Sequence, residues 1–535
     1  MVWSGGGLRS SGRAFGVVLM ALAVGFPGAA VSQTTAFVRA VATSAADQPV
    51  IAEWYRKTDY AALWTDTEDA PRRQAFLAAV ITATDHALPV QRYDANALRA
   101  AFVAAETEGD RGRLEVMMTR AYLAWASDLT SGMLEPAKVD EGIVRQVTVI
   151  DPVVLLSRMS AGDPETVLRG LYPSSVAYAQ LLKAKINLAG LISAGGWGDS
   201  VPVAALSPGA NGPEVVALRD RLVRMEYMAP SASQTYDRVM QTAVEAFQRD
   251  HGLTPNGIAG DSTMAEINVT PQDRLKSVIV AMERERWLRI DRSVRHIWVN
   301  LPEFSARIVD NGTTVFQTRV VIGKNVPDQR SPEFSDVMEH MVINPSWGVP
   351  RSIIIKEYLP LLRQNPNAVG HLQVIDRRGR VVSRGSVNFA GYTARTFPFG
   401  MRQLPSDDNA LGKVKFMFPN QYNIYLHDTP AKSLFDKEIR AYSHGCIRVA
   451  DPFDMAYALL SVQTNDAEAE FERVLKTGNE TTVKLLATVP VHLVYFTAYP
   501  SAKGKITYAR DIYGRDAAVF KALSEAGVAL GDVQG

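Results

Sequence analysis

The chain has 535 residues, several times the roughly 150 that make one domain, so several folded units are expected. Its 57 Lys+Arg against 56 Asp+Glu leave a formal charge of +1, which excludes a nucleic-acid binder held by clustered cations. A 47% hydrophobic share with 21% charged residues excludes wholesale disorder, and the single cysteine, Cys446, excludes an internal disulfide and a cysteine-based zinc or iron–sulfur cage.

Residues 1–33 have the pattern of a secretory signal peptide. Arg9 and Arg13 precede an apolar run over 14–26, and small residues follow at Gly28, Ala29, Ala30 and Ser32. Thirteen helical residues rise only about 20 Å against a hydrocarbon core of about 30 Å, so export to a periplasm is expected, with an uncleaved inner-membrane anchor as the alternative.

Residues 34–204 are alanine-rich and punctuated by Pro152, Pro164 and Pro173, which predicts a scaffold of short helices around a longer one over 114–129. A turn-rich stretch at 207–213 marks a boundary. Over 205–270, apolar faces formed by Val215, Leu218, Leu222 and Met225, by Val239, Ala243, Val244 and Phe247, and by Met264 and Ile267 predict a small three-helix module. Residues 271–535 change period. A helix over 274–288 precedes strand patterns at 296–300, 304–309, 315–322, 339–343, 421–426 and 489–497, with helices over 352–362 and 453–460. Asp310-Asn311-Gly312 is a hairpin signal, because Asn-Gly tolerates positive φ at both central positions. The fold class is an α+β multidomain protein.

Two of the eight histidines, His427 and His444, lie within twenty residues before the only cysteine. A thiol with an ordinary pKa near ~8.5 needs a base or a cationic neighbour to act as a nucleophile, and imidazole can be either. An ionised Cys446 within reach of His427 is therefore the chemical expectation. Gly445 lets the backbone turn its amides toward a developing oxyanion, and Asp451-Pro452 starts a helix just downstream. Spacing alone leaves other readings open. The thiol could be buried and inert, could bridge two molecules, or could join His427 and His444 around a metal ion, with Asp428 behind them as an acidic partner of the ligands.

His427, then Ser443-His444-Gly445-Cys446 after fifteen residues, resembles the signature of the L,D-transpeptidase (YkuD-type) catalytic domain. The strings 344–353 and 409–416, with the order of helical region, small module and β-rich domain, resemble the large multidomain YcbB-like branch. The string 246–253 followed by Asn256-Gly257-Ile258 resembles a three-helix peptidoglycan-binding domain. The resemblance implies that Cys446 takes the acyl group of the third residue of a peptidoglycan tetrapeptide stem and passes it to an amine, forming a 3→3 cross-link. It implies His427 as base with the Asp428 carbonyl orienting it, His444 in a supporting or oxyanion-side role, and the amides of Gly445 and Cys446 as oxyanion donors. Ser443, Arg448, Trp347 and Asn344 are the implied substrate contacts, although Arg448 stands where shorter members carry Asn. Residues 356–402 resemble a lid-like insertion. No cofactor and no metal are implied, and carbapenem reactivity is. The expected partners are stem peptides, with glycan strands or outer-membrane proteins as further candidates. An L,D-carboxypeptidase, an enzyme attaching outer-membrane proteins to the wall, a sortase-like enzyme and a non-catalytic wall-binding protein are the competing readings.

Overall fold

The computed structural model describes residues 35–202 and 205–530. The expected signal segment, 1–33, lies outside the described residues. Among those described, no helix is long and apolar enough to cross a membrane.

The N-terminal region is helical, built around Glu108–Ser131. Thr107 and Asp110 cap each other's backbone at its start, satisfying amides that a first turn leaves without partners. Gly132 ends it at φ +85, where a Cβ would collide with Glu283 and Trp287 of a second helix, Pro271–Leu288. This second helix is buried along most of its length and joins the helical region to the β-rich one. Glu283 accepts from the amides of Met133 and Leu134, while Arg284 pairs with Glu333 and Asp516 on the far side. Charges taken out of water need such partners on every side, which ties the orientation of one unit to the other.

Three helices, Pro213–Arg224, Arg238–Asp250 and Asp261–Ile267, enclose their own apolar core. Val239 is not in that core: it is 62% exposed, and its neighbour Met240 is buried instead. Asp237 caps the second helix through the Met240 amide, and that entry angle sets which face turns inward.

Beside a small two-stranded sheet formed by Ala498–Pro500 and Ile506–Tyr508, the β-rich region is built on a nine-stranded sheet. In chain order its strands are β1 (His296–Asn300), β2 (Ser305–Asp310), β3 (Thr313–Gly323), β4 (Phe334–Ile343), β5 (Val414–Met417), β6 (Leu426–His427), β7 (Ala441–Ser443), β8 (Ile447–Val449) and β9 (Thr481–Val494). The spatial order is β7-β3-β8-β6-β5-β4-β9-β1-β2, and β2 also pairs with β3, so the sheet closes on itself. Asn311 and Gly312, at φ +48 and +74, make the two-residue β2–β3 turn. Between β4 and β5 an insertion forms its own four-stranded sheet and apolar core.

The strand expected over 421–426 is only Leu426–His427. Residues before it form a loop stapled by Asn420, whose side chain donates to the carbonyls of Phe418 and Ile424 and accepts from the amides of Tyr422 and Ile424. Backbone groups satisfied by a side chain have no need of a strand partner.

Candidate active site

β6 and β8 run parallel, with Leu426 opposite Ile447 and His427 opposite Arg448. Carried one residue further by the bond from the Ile447 amide to the Tyr425 carbonyl, that register sets Tyr425 beside Cys446. Side chains alternate between the faces of a sheet, so Tyr425, His427, Cys446 and Arg448 share one face. Neighbouring strands about 4.8 Å apart, offset by two residues, put His427 and Cys446 about 8 Å apart at the backbone.

The turn carrying the thiol is held from behind. Gly445 has φ +113, a conformation that side-chain-bearing residues rarely adopt. Its carbonyl accepts from Ser331 Oγ at 2.6 Å, and its amide donates to Ser443 Oγ at 3.1 Å. Ser443 Oγ also donates to the Cys446 carbonyl. Tyr513 completes the brace, its hydroxyl donating to the Gly323 carbonyl at 2.6 Å and accepting from the Ser331 amide. Two expectations change as a result. Ser443 is buried and occupied by its own loop, so it is not open to a substrate. The Gly445 amide points inward, which leaves the Cys446 amide, without an acceptor among the described residues, as the available oxyanion donor.

Cys446 is half-buried, and its Sγ lies 3.4 Å from the carbonyl of Asn423, a residue at φ +54. Burial pushes the thiol up to about 11, outweighing the opposing influence of Tyr425 and Arg448. His427 is buried too. Burial first, and the Arg448 charge second, pull its imidazole down to about 3. Both groups are therefore neutral at pH 7, in place of the expected ionised sulfur. His427 Nδ1 lies 2.5 Å from the Asp428 carbonyl oxygen, which can only accept, so Nδ1 carries the proton and Nε2 is left as a base.

Asp428 is fixed in turn by the Lys413 amide at 2.8 Å, the Thr429 amide at 2.7 Å and Lys432 Nζ at 2.7 Å. Gly412, at φ +60, lies so close that a Cβ there would overlap the Asp428 carboxylate. Arg448 is half-buried, no carboxylate pairs with it among the described residues, and its Nε has no partner. His444 faces the insertion, with Nε2 2.5 Å from Glu357 Oε1. The neighbouring Lys356 pairs with Asp328, and both insertion residues belong to one π-helical turn, Ile354–Tyr358. Such turns are frequent at functional sites.

Asn344 and Trp347, the other expected substrate contacts, are inside the protein. Asn344, buried at φ +50, donates to the carbonyls of Leu475 and Asn479, and Trp347 belongs to the core of the insertion. Among the described residues no three His, Cys, Asp or Glu side chains gather as a metal site. The supporting residues that sequence reasoning missed are Ser331, Tyr513, Gly412, Glu357, Asn420 and Asn423. Only Asn420, following Pro419, had a local signal, the Asx-turn composition of its loop.

Residues 294–482 match the model of the YkuD family, "L,D-transpeptidase catalytic domain". Residues 49–184 match one described as "Scaffold domain", and 211–267 one described as "Putative peptidoglycan binding domain". A Haemophilus influenzae protein named "Putative L,D-transpeptidase" is 32% identical over 256 residues, covering 48% of this chain and 50% of its own length. The match thus spans half of that relative. Crystal structures of L,D-transpeptidases from Xylanimonas cellulosilytica and Stackebrandtia nassauensis align at 14% identity, each covering 55% of this chain, and 100% and 97% of their own, with TM-scores of 0.17 and 0.21.

Proposed function

We propose, for a chain that carries a YkuD-type L,D-transpeptidase catalytic domain, that Cys446 forms an acyl-enzyme with a peptidoglycan stem and transfers it to a neighbouring stem as a 3→3 cross-link. The observation that carries this reading is the shared face of β6 and β8. It has Cys446 and His427 on one side of the sheet, both neutral, and the Asp428 carbonyl leaves His427 Nε2 free to act as a base.

Sγ bonds to the carbonyl carbon of the third stem residue as its proton passes to His427 Nε2. The bond to the terminal D-alanine breaks, and that amine leaves with the proton from His427. An acceptor amine then attacks the thioester, again losing its proton through His427, and the proton returns to the departing sulfur. One amide is exchanged for another, so no nucleotide is consumed. The Cys446 amide faces the oxyanion, where one such donor contributes about 3 kcal/mol in comparable sites. Arg448, without a carboxylate partner among the described residues and on the same face as the thiol, holds a stem carboxylate. His444 is engaged by Glu357 and couples the insertion to the catalytic turn.

In this reading 34–204 is the scaffold, 205–270 a module for the wall, and 271–535 the catalytic unit with 356–402 as its lid. The match over 211–267 supports a place in the cell envelope. Incubating the purified protein with a disaccharide tetrapeptide tests the proposal. Free D-alanine and a cross-linked dimer lighter by one alanine are expected. D-alanine with tripeptide alone would make water the acceptor, and no D-alanine at all would overturn the reading.

A further inference from the structure

A cleft of about 580 Å³ opens at the end of the sheet that carries Cys446. It lies between residues 144–148, the C-terminal end of the Pro271–Leu288 helix, the start of β4 and the loop stapled by Asn420. Trp287 and Tyr422 form part of its wall, and Arg145, Arg289, Asp336 and Gln421 are among its polar groups.

Its charge balance is unusual. Arg145, half-buried, donates to Ser335 Oγ at 2.6 Å and to the Leu493 carbonyl, both neutral. Arg289 reaches only the Thr130 carbonyl, at 3.4 Å. Neither cation has a carboxylate partner among the described residues, although the buried arginines nearby, Arg284 and Arg286, are each paired. Arg145 is partly out of water, and the carboxylate whose charge acts on it, Glu333, is already paired with Arg284, so an anion in the cleft would complete it, while Arg289 adds an exposed cation to the same lining. Asp336 is the one acid among the described residues that line the cleft, and it can accept from peptide N–H groups.

The cleft is also close to the nucleophile. Tyr422 lines it, and the next residue, Asn423, presents its carbonyl 3.4 Å from Cys446 Sγ. The inner rim is therefore within about 10 Å of the sulfur, and a four-residue peptide extends about 14 Å. We infer that this cleft is the acceptor subsite, where Arg145 and Arg289 hold the carboxylates of the stem whose amine receives the acyl group. The inference rests on the acyl-transfer reading above and adds the place and chemistry of the second substrate.

Binding can be measured without turnover. Calorimetry on the Cys446→Ser chain would use a stem tripeptide ending in a diamino acid with a free amine and a free carboxylate. Arg289 is exposed, so Arg289→Glu spares the core. It is expected to weaken binding at least tenfold, whereas Lys521→Glu, the same charge change on a remote exposed side chain, leaves it unchanged. Amidating the peptide's carboxylates should abolish the difference between Arg289→Glu and its parent. Equal affinity of parent and Arg289→Glu for the free acid, or equal losses in both variants, would overturn the assignment. Because no acyl transfer is involved, the binding result is independent of whether cross-links form.

Discussion

Gly412→Ala is expected to lower turnover by about a hundredfold or more while leaving Cys446 in place. The added methyl would overlap the Asp428 carboxylate, and the position's φ of +60 is itself strained for alanine. Asp428 is held by three donors, so it cannot step aside alone; its backbone moves with it, and the carbonyl that fixes His427 Nδ1 moves too. A displacement of about 1 Å in a catalytic group costs on the order of a hundredfold. Release of D-alanine by a variant with the parent's circular dichroism and melting temperature checks this. A loss below threefold would show that the Asp428 anchor does not position the base.

His427→Ala should be the more damaging of the two histidine changes. Removing a general base costs about a hundred- to ten-thousandfold, and its neighbours on that face of β6 and β8, Tyr425 and Arg448, are not bases at neutral pH. His444→Ala should cost far less, about tenfold, because its Nε2 is already engaged by Glu357. Glu357→Ala should reproduce the His444→Ala loss, and the double variant should be no worse than either, since the two act through one contact. Rates of acylation read by intact mass decide. A greater loss in His444→Ala, or additive losses in the double variant, would reassign the base.

Local patterns in the chain were legible before folding: β1 matches its alternating run residue for residue, and Asn311-Gly312 makes its hairpin. Cys446 and two candidate histidines stood out because their residue types are rare in this chain, but the choice of His427 over His444 as the base came from the family resemblance alone. The run 421–426 misled, since its alternation imitates a strand until Asn420 satisfies the backbone and Asn423 takes a positive φ. Val239 misled for a related reason, because the cap at Asp237 rotates Met240 inward. The charge state of the site was beyond the sequence altogether. An unperturbed thiol and imidazole suggest an ion pair, but burial opposes both charges, and burial is a property of the closed sheet. The same holds for Ser443 and Asn344, polar residues whose partners come from their own backbone surroundings rather than from a substrate.

Catalysis by this route depends on a thiol that is accessible yet protonated until substrate arrives, and one measurement reaches this directly. With a single cysteine in the chain, alkylation by uncharged iodoacetamide, followed by intact mass from pH 5 to 10, reports on Cys446 alone. A pKa raised to about 11 means that the reactive thiolate grows throughout that range, so the rate should climb about tenfold per pH unit at the alkaline end without levelling. A rate that is already flat below pH 7 would reveal a standing thiolate–imidazolium pair, and a cysteine that never labels would remove the nucleophile itself.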